Sequence, residues 1–320
     1  MLSRIGRRAS EGAVRQGRVR ALGGLVLLLA ACAPADEPPN TQTSNGAPYE
    51  AVDDAGRVVS LSAPARRIIS LIPATTETVM AIGGAESLIA RTDYDDGGLA
   101  HLPSVGGGLT PSIELLASLQ PDLVIAWEEA GAARVRSRLE ALGIPVFAAQ
   151  TRDTADIYAN IQRFGRLMGL RSRADSLAAS IRRDLESVAS SVADRRSPRV
   201  VYMIGLDPPM IAGPNVFIGE VLGVAGGENV FADIRAPSPQ MSLEEILARA
   251  PDIVLIPASG VAATPLERLQ KEPGWRELMA SGKTRFEALP PNILHRPGPS
   301  IVRSAWVLRN ALFPDLPIPE

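Results

Sequence analysis

Residues 112–125 and 242–255 are two copies of one pattern. In each copy a serine opens a short helical run, a glutamate follows two positions later, Pro-Asp closes the run, and an apolar, strand-like stretch comes next. Ser112 and Ser242, Glu114 and Glu244, Pro121 and Pro251, and Asp122 and Asp252 are each separated by 130 positions. A capped helix feeding an apolar strand is half of a βα unit. Using it twice at this distance predicts two similar lobes with a cleft between them. Each lobe then offers a glutamate at the equivalent place.

The first 32 residues stand apart from that pattern. Arg4, Arg7, Arg8, Arg15, Arg18 and Arg20 make a basic leader, and residues 21–31 are apolar. The apolar run is shorter than the roughly 20 residues a membrane-spanning helix needs, which is the layout of a secretory signal. It ends in Leu29-Ala30-Ala31-Cys32, similar to the lipobox of bacterial lipoproteins, and Cys32 is the only cysteine in the chain. Lipidation at Cys32 and export to a membrane surface are therefore expected, with a core stable without disulfides. Residues 33–48, rich in Pro, Ala, Ser, Thr and Asn, read as a disordered tether. The net charge of −2 disfavours nucleic acid as a partner, and 46% hydrophobic with 21% charged residues is ordinary globular composition.

Residues 52–61 read as a hairpin around Asp54-Ala55-Gly56. Residues 67–72 read as a strand ending at Pro73, followed by a helix capped by Thr75 or Thr76 and stopped at Gly83-Gly84. Strands at 87–91 and 144–148, with helix 134–142, complete an N-terminal lobe over residues 49–152. Short links between alternating strands and helices predict a mainly parallel sheet covered by helices. Residues 153–197 form a connector, helical in pattern over residues 153–194 and broken near Gly169. Leu177, Ile181, Leu185, Val188 and Val192 recur at spacings of three and four, so one face of the long second helix is buried. That stretch reads as a rigid connector. Residues 198–320 form the second lobe, with strands at 199–204, 253–256 and 286–289, a turn at 226–229, and helices at 217–222, 266–279 and 301–312. The fold class is α/β: two βα lobes with mainly parallel sheets, one long α-helix between them, and a ligand cleft.

Ligands in open α/β sheets sit beyond the carboxyl ends of the strands. That rule nominates Thr75, Thr76, Tyr94, Asp95, Gly107, Trp127, Pro209, Ser238 and Ser259 as cleft residues. A plain loop or capping role is the competing reading for each.

Four motifs in order resemble one family. They are residues 67–77 around Ser70-Leu71-Ile72-Pro73, residues 119–127 from Leu119 to Trp127, Asp207-Pro208-Pro209 with the stretch Gly226-Gly227-Glu228-Asn229-Val230-Phe231-Ala232-Asp233, and Pro239-Gln240-Met241-Ser242-Leu243-Glu244. With the lipobox, they resemble the helical-backbone solute-binding proteins of bacterial ABC importers, nearest the cobalamin-binding branch. The resemblance spans roughly residues 52–312. It implies a monomer that captures a cobalamin-type corrinoid and delivers it to an ABC permease and its ATPase. It also implies that Glu114 and Glu244 dock on arginines of that permease. Ser242 and Glu245 form a capping box pattern, which leaves Glu244 free, although either glutamate also suits the dipole of its helix. Corrinoid binders of the branch carry tryptophans where this chain has Ser238 and the run Gly106-Gly107-Gly108. That departure keeps haem and ferric siderophores open as ligands.

His101 and His295 are the only histidines. Two histidines far apart fit a bare metal site poorly, so no metal site or cofactor is expected; axial ligation of a ligand metal by a histidine or by Tyr94 stays open. Arg296 and Arg303 are candidates for meeting ligand carboxylates. No Gly-x-Ser-x-Gly or Ser-x-x-Lys motif occurs, the sole cysteine is assigned to the anchor, and Ser281-Gly282-Lys283-Thr284 lacks the earlier glycine of a phosphate loop. An anchored hydrolase or a solute sensor is the alternative to a transport protein.

Overall fold

The computed structural model describes residues 49–95, 98–214, 216–258, 265–290 and 294–317. Cys32, the leader and tether at residues 1–48, and Ser259 lie outside the described residues.

Strands β1 (Tyr49–Val52) and β2 (Val58–Leu61) form the expected antiparallel hairpin. Its turn is built by Asp53, a buried carboxylate that accepts the Arg57 backbone N–H at 2.8 Å and the Ala148 backbone N–H at 3.2 Å. The turn is thus anchored to the first lobe. Strand β3 (Ile68–Ser70) leads into helix α1 (Pro73–Val79), and β4 (Leu88–Ala90) follows. Thr75 and Thr76 do not cap α1. Pro73 opens the helix, where its missing N–H costs nothing. A small ribbon, β5 (Gly106–Gly107) with β6 (Thr110–Pro111), precedes α2 (Ile113–Ser118), β7 (Leu123–Trp127), α3 (Ala133–Ala141) and β8 (Val146–Ala149). The first sheet has the order β4-β3-β7-β8 and is parallel throughout.

Helices α4 (Thr154–Leu167) and α5 (Arg171–Ser190) form the connecting stretch, with Asp153 capping α4 by accepting the Asp156 N–H at 2.9 Å. The second lobe contains β9 (Arg199–Leu206), β10 (Pro209–Ile211), α6 (Phe217–Val224), β11 (Glu228–Asn229), α7 (Leu243–Ala248) and β12 (Ile253–Pro257). It continues with α8 (Pro265–Leu269), α9 (Pro273–Ala280), β13 (Arg285–Leu289) and α10 (Ile301–Leu312). Its sheet runs β10-β9-β12-β13, with β11 also parallel to β9 and only β10 antiparallel. Two expectations are corrected here. The helix expected over residues 266–279 is two helices, because Pro273 restarts the chain at the first turn of α9. The expected turn at residues 226–229 ends in a short strand, β11.

The strands read as continuous apolar runs because both faces of each sheet are covered. Along β7, Leu123 and Ile125 enter one core while Val124 and Ala126 enter another under α2 and α3. Along β12, Ile253 and Leu255 enter that same first core, and Val254 and Ile256 enter a third under α7 to α9. The shared core is continuous from Ala51 to Phe313 and takes in the buried face of α5: Ala174, Ala178, Ile181, Leu185 and Val188. The long helix is therefore a covering layer shared by both lobes, packed on α4, α6 and α10 through one face.

The sequence repeat is reproduced in detail. Gln120 and Ala250, the residues before each Pro-Asp, both have positive φ, 48° and 46°. Asp122 accepts the backbone N–H of Arg66 and of Arg67, each at 2.9 Å, and Asp252 accepts that of Arg199 at 2.9 Å. The arginines return the contact. Arg67 Nη2 donates to the Leu119 carbonyl at 2.6 Å, and Arg199 Nη2 donates to the Arg249 carbonyl at 2.7 Å. Each pair closes the open carbonyl end of a repeat helix and starts the neighbouring strand in register.

Candidate functional site

A cavity of about 430 Å³ opens beyond the carboxyl ends of β3 and β7, where the open-sheet rule places ligands. Its floor is Leu71, Ile72, Pro73 and Ala74, the link from β3 into α1. Trp127 at the end of β7 and Tyr94 form aromatic walls, and the turn from Gly107 to Thr110 lies beside them. The far wall comes from the other lobe: His295, Arg296 and Pro297, in the link between β13 and α10. An apolar and aromatic lining with a few polar groups is typical of small-molecule sites, which range from about 300 to 1,000 Å³.

Local chemistry fixes each wall. Asp95 folds the Tyr94 loop: its Oδ2 accepts the Thr92 N–H at 2.6 Å and the Thr92 hydroxyl at 2.8 Å. Tyr94 is left 67% exposed at the rim. The Arg136 guanidinium donates to the Trp127 carbonyl and holds the end of β7. Gly108 is a close approach of chains. A Cβ there would overlap the Leu71 carbonyl oxygen and lie 3.3 Å from Trp127 Nε1.

The His295 wall is fastened across the lobes. Arg296 Nη2 donates to the Tyr94 carbonyl at 3.2 Å, and the Ser300 hydroxyl donates to Glu77 Oε2 at 3.0 Å. Burial raises the pKa of the Glu77 carboxyl, which the Ser300 bonds and the Arg296 charge offset only in part. His295 Nε2 lies 3.0 Å from the hydroxyl of Tyr202, a buried β9 side chain. Desolvation lowers the pKa of His295 and raises that of Tyr202 above its usual value.

Of the nominated cleft residues, the structure brings Tyr94, Gly107 and Trp127 to this cavity. Thr75 and Thr76 are corrected: both are buried in the lobe, with their hydroxyls bonded to the Ile72 carbonyl at 2.9 and 3.2 Å. Asp95 acts behind the wall and does not line it. Pro209 lines a separate cavity of about 220 Å³ with Leu206, Arg268 and Trp275. Ser238 is exposed and outside the cavity lining, and Ser259 lies outside the described residues. His101 is on a surface turn with Nδ1 3.0 Å from the Gly98 carbonyl. The Leu71–Ala74 floor and Glu129 were missed by sequence reasoning, although the strand-end rule that found Trp127 would also have found the floor. Among the described residues no cluster of three His, Cys, Asp or Glu side chains could hold a metal ion, and no helix is long and apolar enough to cross a membrane.

Glu114 and Glu244 occupy the first turns of α2 and α7, both exposed. Ser242 and Glu245 make a full capping box, with the Ser242 N–H donating to Glu245 at 2.9 Å, so Glu244 is not used by the cap. Neither Glu114 nor Glu244 has an ion-pair partner among the described residues.

Residues 68–293 match the family described as periplasmic binding protein. The chain belongs to the periplasmic binding protein family. This periplasmic binding protein is 30% identical over 239 residues to the vitamin B12-binding protein of Vibrio cholerae serotype O1, covering 74% of this chain and 85% of that one. The crystal structure of the periplasmic vitamin B12-binding protein of Vibrio cholerae superposes with a TM-score of 0.62 at 28% identity, over 78% of this chain and 97% of that one. A periplasmic heme-binding protein from Pseudomonas aeruginosa superposes with a TM-score of 0.70 at 25% identity, over 80% and 95%. The expected α/β class is met in these solved folds. The relatives are solute-binding proteins, so this is a binding protein of the ABC-importer type and not an enzyme. Family membership implies export to the periplasm.

Proposed function

We propose that this periplasmic binding protein captures a cobalamin-type corrinoid between its lobes and passes it to an ABC permease. The observation that carries the reading is the cavity itself: aromatic walls from Tyr94 and Trp127 over an apolar floor, closed from the other lobe by His295 and Arg296. A broad ring edged with polar groups matches that lining, and the 30% identical relative is named for vitamin B12. Haem is the second reading, favoured by the cationic Arg296 on the cavity wall and by the heme-binding structural neighbour. Calorimetry with cobalamin, cobinamide, haemin and two ferric siderophores tests the ligand. Tighter binding of haemin or a siderophore than of both corrinoids overturns the corrinoid assignment and leaves the family.

In the same reading Glu114 and Glu244 are the docking contacts. Matched acids on matched helices suit a two-fold partner, which needs the same charge in symmetric places. Cys32 is the lipid anchor that holds the protein to the membrane beside that partner. Cys32→Ala should move the protein from the membrane fraction to the soluble fraction, and a mutant still bound to membranes would refute the anchor.

A further inference from the structure

Tyr202 is 2% exposed, yet it carries a hydroxyl. A buried phenol needs a hydrogen-bond partner. Among the described residues its one partner is His295 Nε2, at 3.0 Å. The proton arrangement follows from that count. Were His295 to donate from Nε2, the phenol proton would have no acceptor among the described residues. With Tyr202 donating, the hydroxyl is satisfied and Nε2 contributes its lone pair. The ring proton then sits on Nδ1. Desolvation favours both neutral forms, the phenol and the imidazole. The edge-on packing of the two rings, with centroids 6.0 Å apart, fixes the imidazole further.

We infer that Tyr202 is a positioning residue that locks His295 as its Nδ1–H tautomer, so that His295 serves the cavity as a neutral hydrogen-bond donor to an oxygen on the edge of the bound ligand. Nδ1 has no partner among the described residues, and the imidazole belongs to the cavity wall beside Arg296. A neutral donor on this wall of the cavity selects a ligand edge that carries acceptor oxygens, whether amide or carboxylate. The same arrangement withholds the imidazole from metal ligation: the Nε2 lone pair is taken, and Nδ1 carries the proton. The inference rests on the cavity being the ligand site, and on nothing about which ring system enters it.

The test uses nitrogen-15 NMR of the ligand-free protein, which has only two histidines, with His101→Ala assigning the signals. His295 should appear as neutral Nδ1–H at pH 7.5, and Tyr202→Phe should shift it toward Nε2–H. An Nε2–H wild type overturns the inference. Affinity is measured in parallel by calorimetry, with cobalamin as the amide-bearing probe and haemin as the carboxylate-bearing one. Loss of one uncharged hydrogen bond predicts about tenfold weaker binding for His295→Ala. His295→Asn places an amide N–H near the position of Nδ1 and should stay within about threefold of wild type, also in the Tyr202→Phe background. If His295→Asn loses as much as His295→Ala, the donor role is wrong. If wild-type protein binds neither probe, the tetrapyrrole reading fails, and the tautomer measurement still decides the lock.

Discussion

Three consecutive glycines beside the cavity should respond to the same substitution in three different ways. A Cβ on Gly107 would meet Thr110 Oγ1 at 3.4 Å and Tyr94 Cε2 at 3.8 Å, ordinary contacts, and its φ is not positive. Gly107→Ala should therefore change stability by no more than about 0.5 kcal/mol, the usual bound for a substitution that breaks nothing. Gly106 has room, its nearest neighbour being the Thr110 carbonyl oxygen at 3.6 Å, but its φ is +90°. An alanine there adopts a left-handed backbone at a cost of about 1 kcal/mol. Gly108 has neither a strained φ nor room. Its Cβ would overlap the Leu71 carbonyl oxygen, which is main chain and cannot rotate aside. Overpacking costs about 1–3 kcal/mol, and an immovable obstacle places Gly108→Ala at or beyond the upper end, about 3 kcal/mol. At roughly 2–4 °C per kcal/mol, calorimetry should read a Tm change of no more than about 1–2 °C for Gly107, and losses of about 2–4 and 6–12 °C for Gly106 and Gly108. The Gly108 variant should also bind ligand less well, because Leu71 and Trp127, both on the cavity wall, must yield to the added methyl. A Gly107→Ala loss as large as that of Gly108→Ala, or a Gly108→Ala melt matching wild type, would refute the packing argument.

Glu114→Arg combined with Glu244→Arg should leave ligand titration unchanged while uptake in cells lacking the native protein falls, since like charges would then meet across the docking face; normal uptake would return both acids to helix-dipole duty. Asp122→Ala removes the acceptor for the Arg66 and Arg67 N–H groups and should cost about 1–2 kcal/mol in urea unfolding. Asp252→Ala should cost about 1 kcal/mol, and the double mutant should give the sum, as the sites lie in different lobes; strong non-additivity would contradict that separation. Desolvation lowers the folded-state pKa of His295, so protonation favours the unfolded chain. That contribution is intact above the unfolded value of about 6.5 and is lost as pH falls through the folded value. His295→Asn should flatten stability against pH in that window, and an unaltered slope would count against the partial desolvation of the ring.

Much of the architecture is local, and local physics is written in adjacent residues. The two Pro-Asp repeats specified a helix stop and a strand start, and the strands came out parallel and buried on both faces, as β3, β7, β9 and β12 show. Trp127 lines the cavity from the end of its strand, the position that the strand-end rule singles out. Where local signals competed, the sequence was misread. Thr75 and Thr76 look like caps, but Pro73 had already begun the helix, and their hydroxyls turn back to Ile72. The helix expected over residues 266–279 passed over Pro273, which instead divides two.

The repeat, the capping box and the placement of Glu114 and Glu244 were determined by the sequence alone, because spacing along a helix or strand dictates which way a side chain faces. Only the tertiary structure decided what closes the cavity. His295 and Arg296 are remote in sequence from Tyr94, and Arg296 reaches its carbonyl only because the link between β13 and α10 returns over the N-terminal lobe. Nor did any pattern announce Tyr202 as the partner of His295. It reads as one more apolar-face residue of β9, and its hydroxyl acquired a role when packing left that imidazole as its partner. Contacts of that kind arise from the packing of whole layers, which periodicity along the chain does not encode.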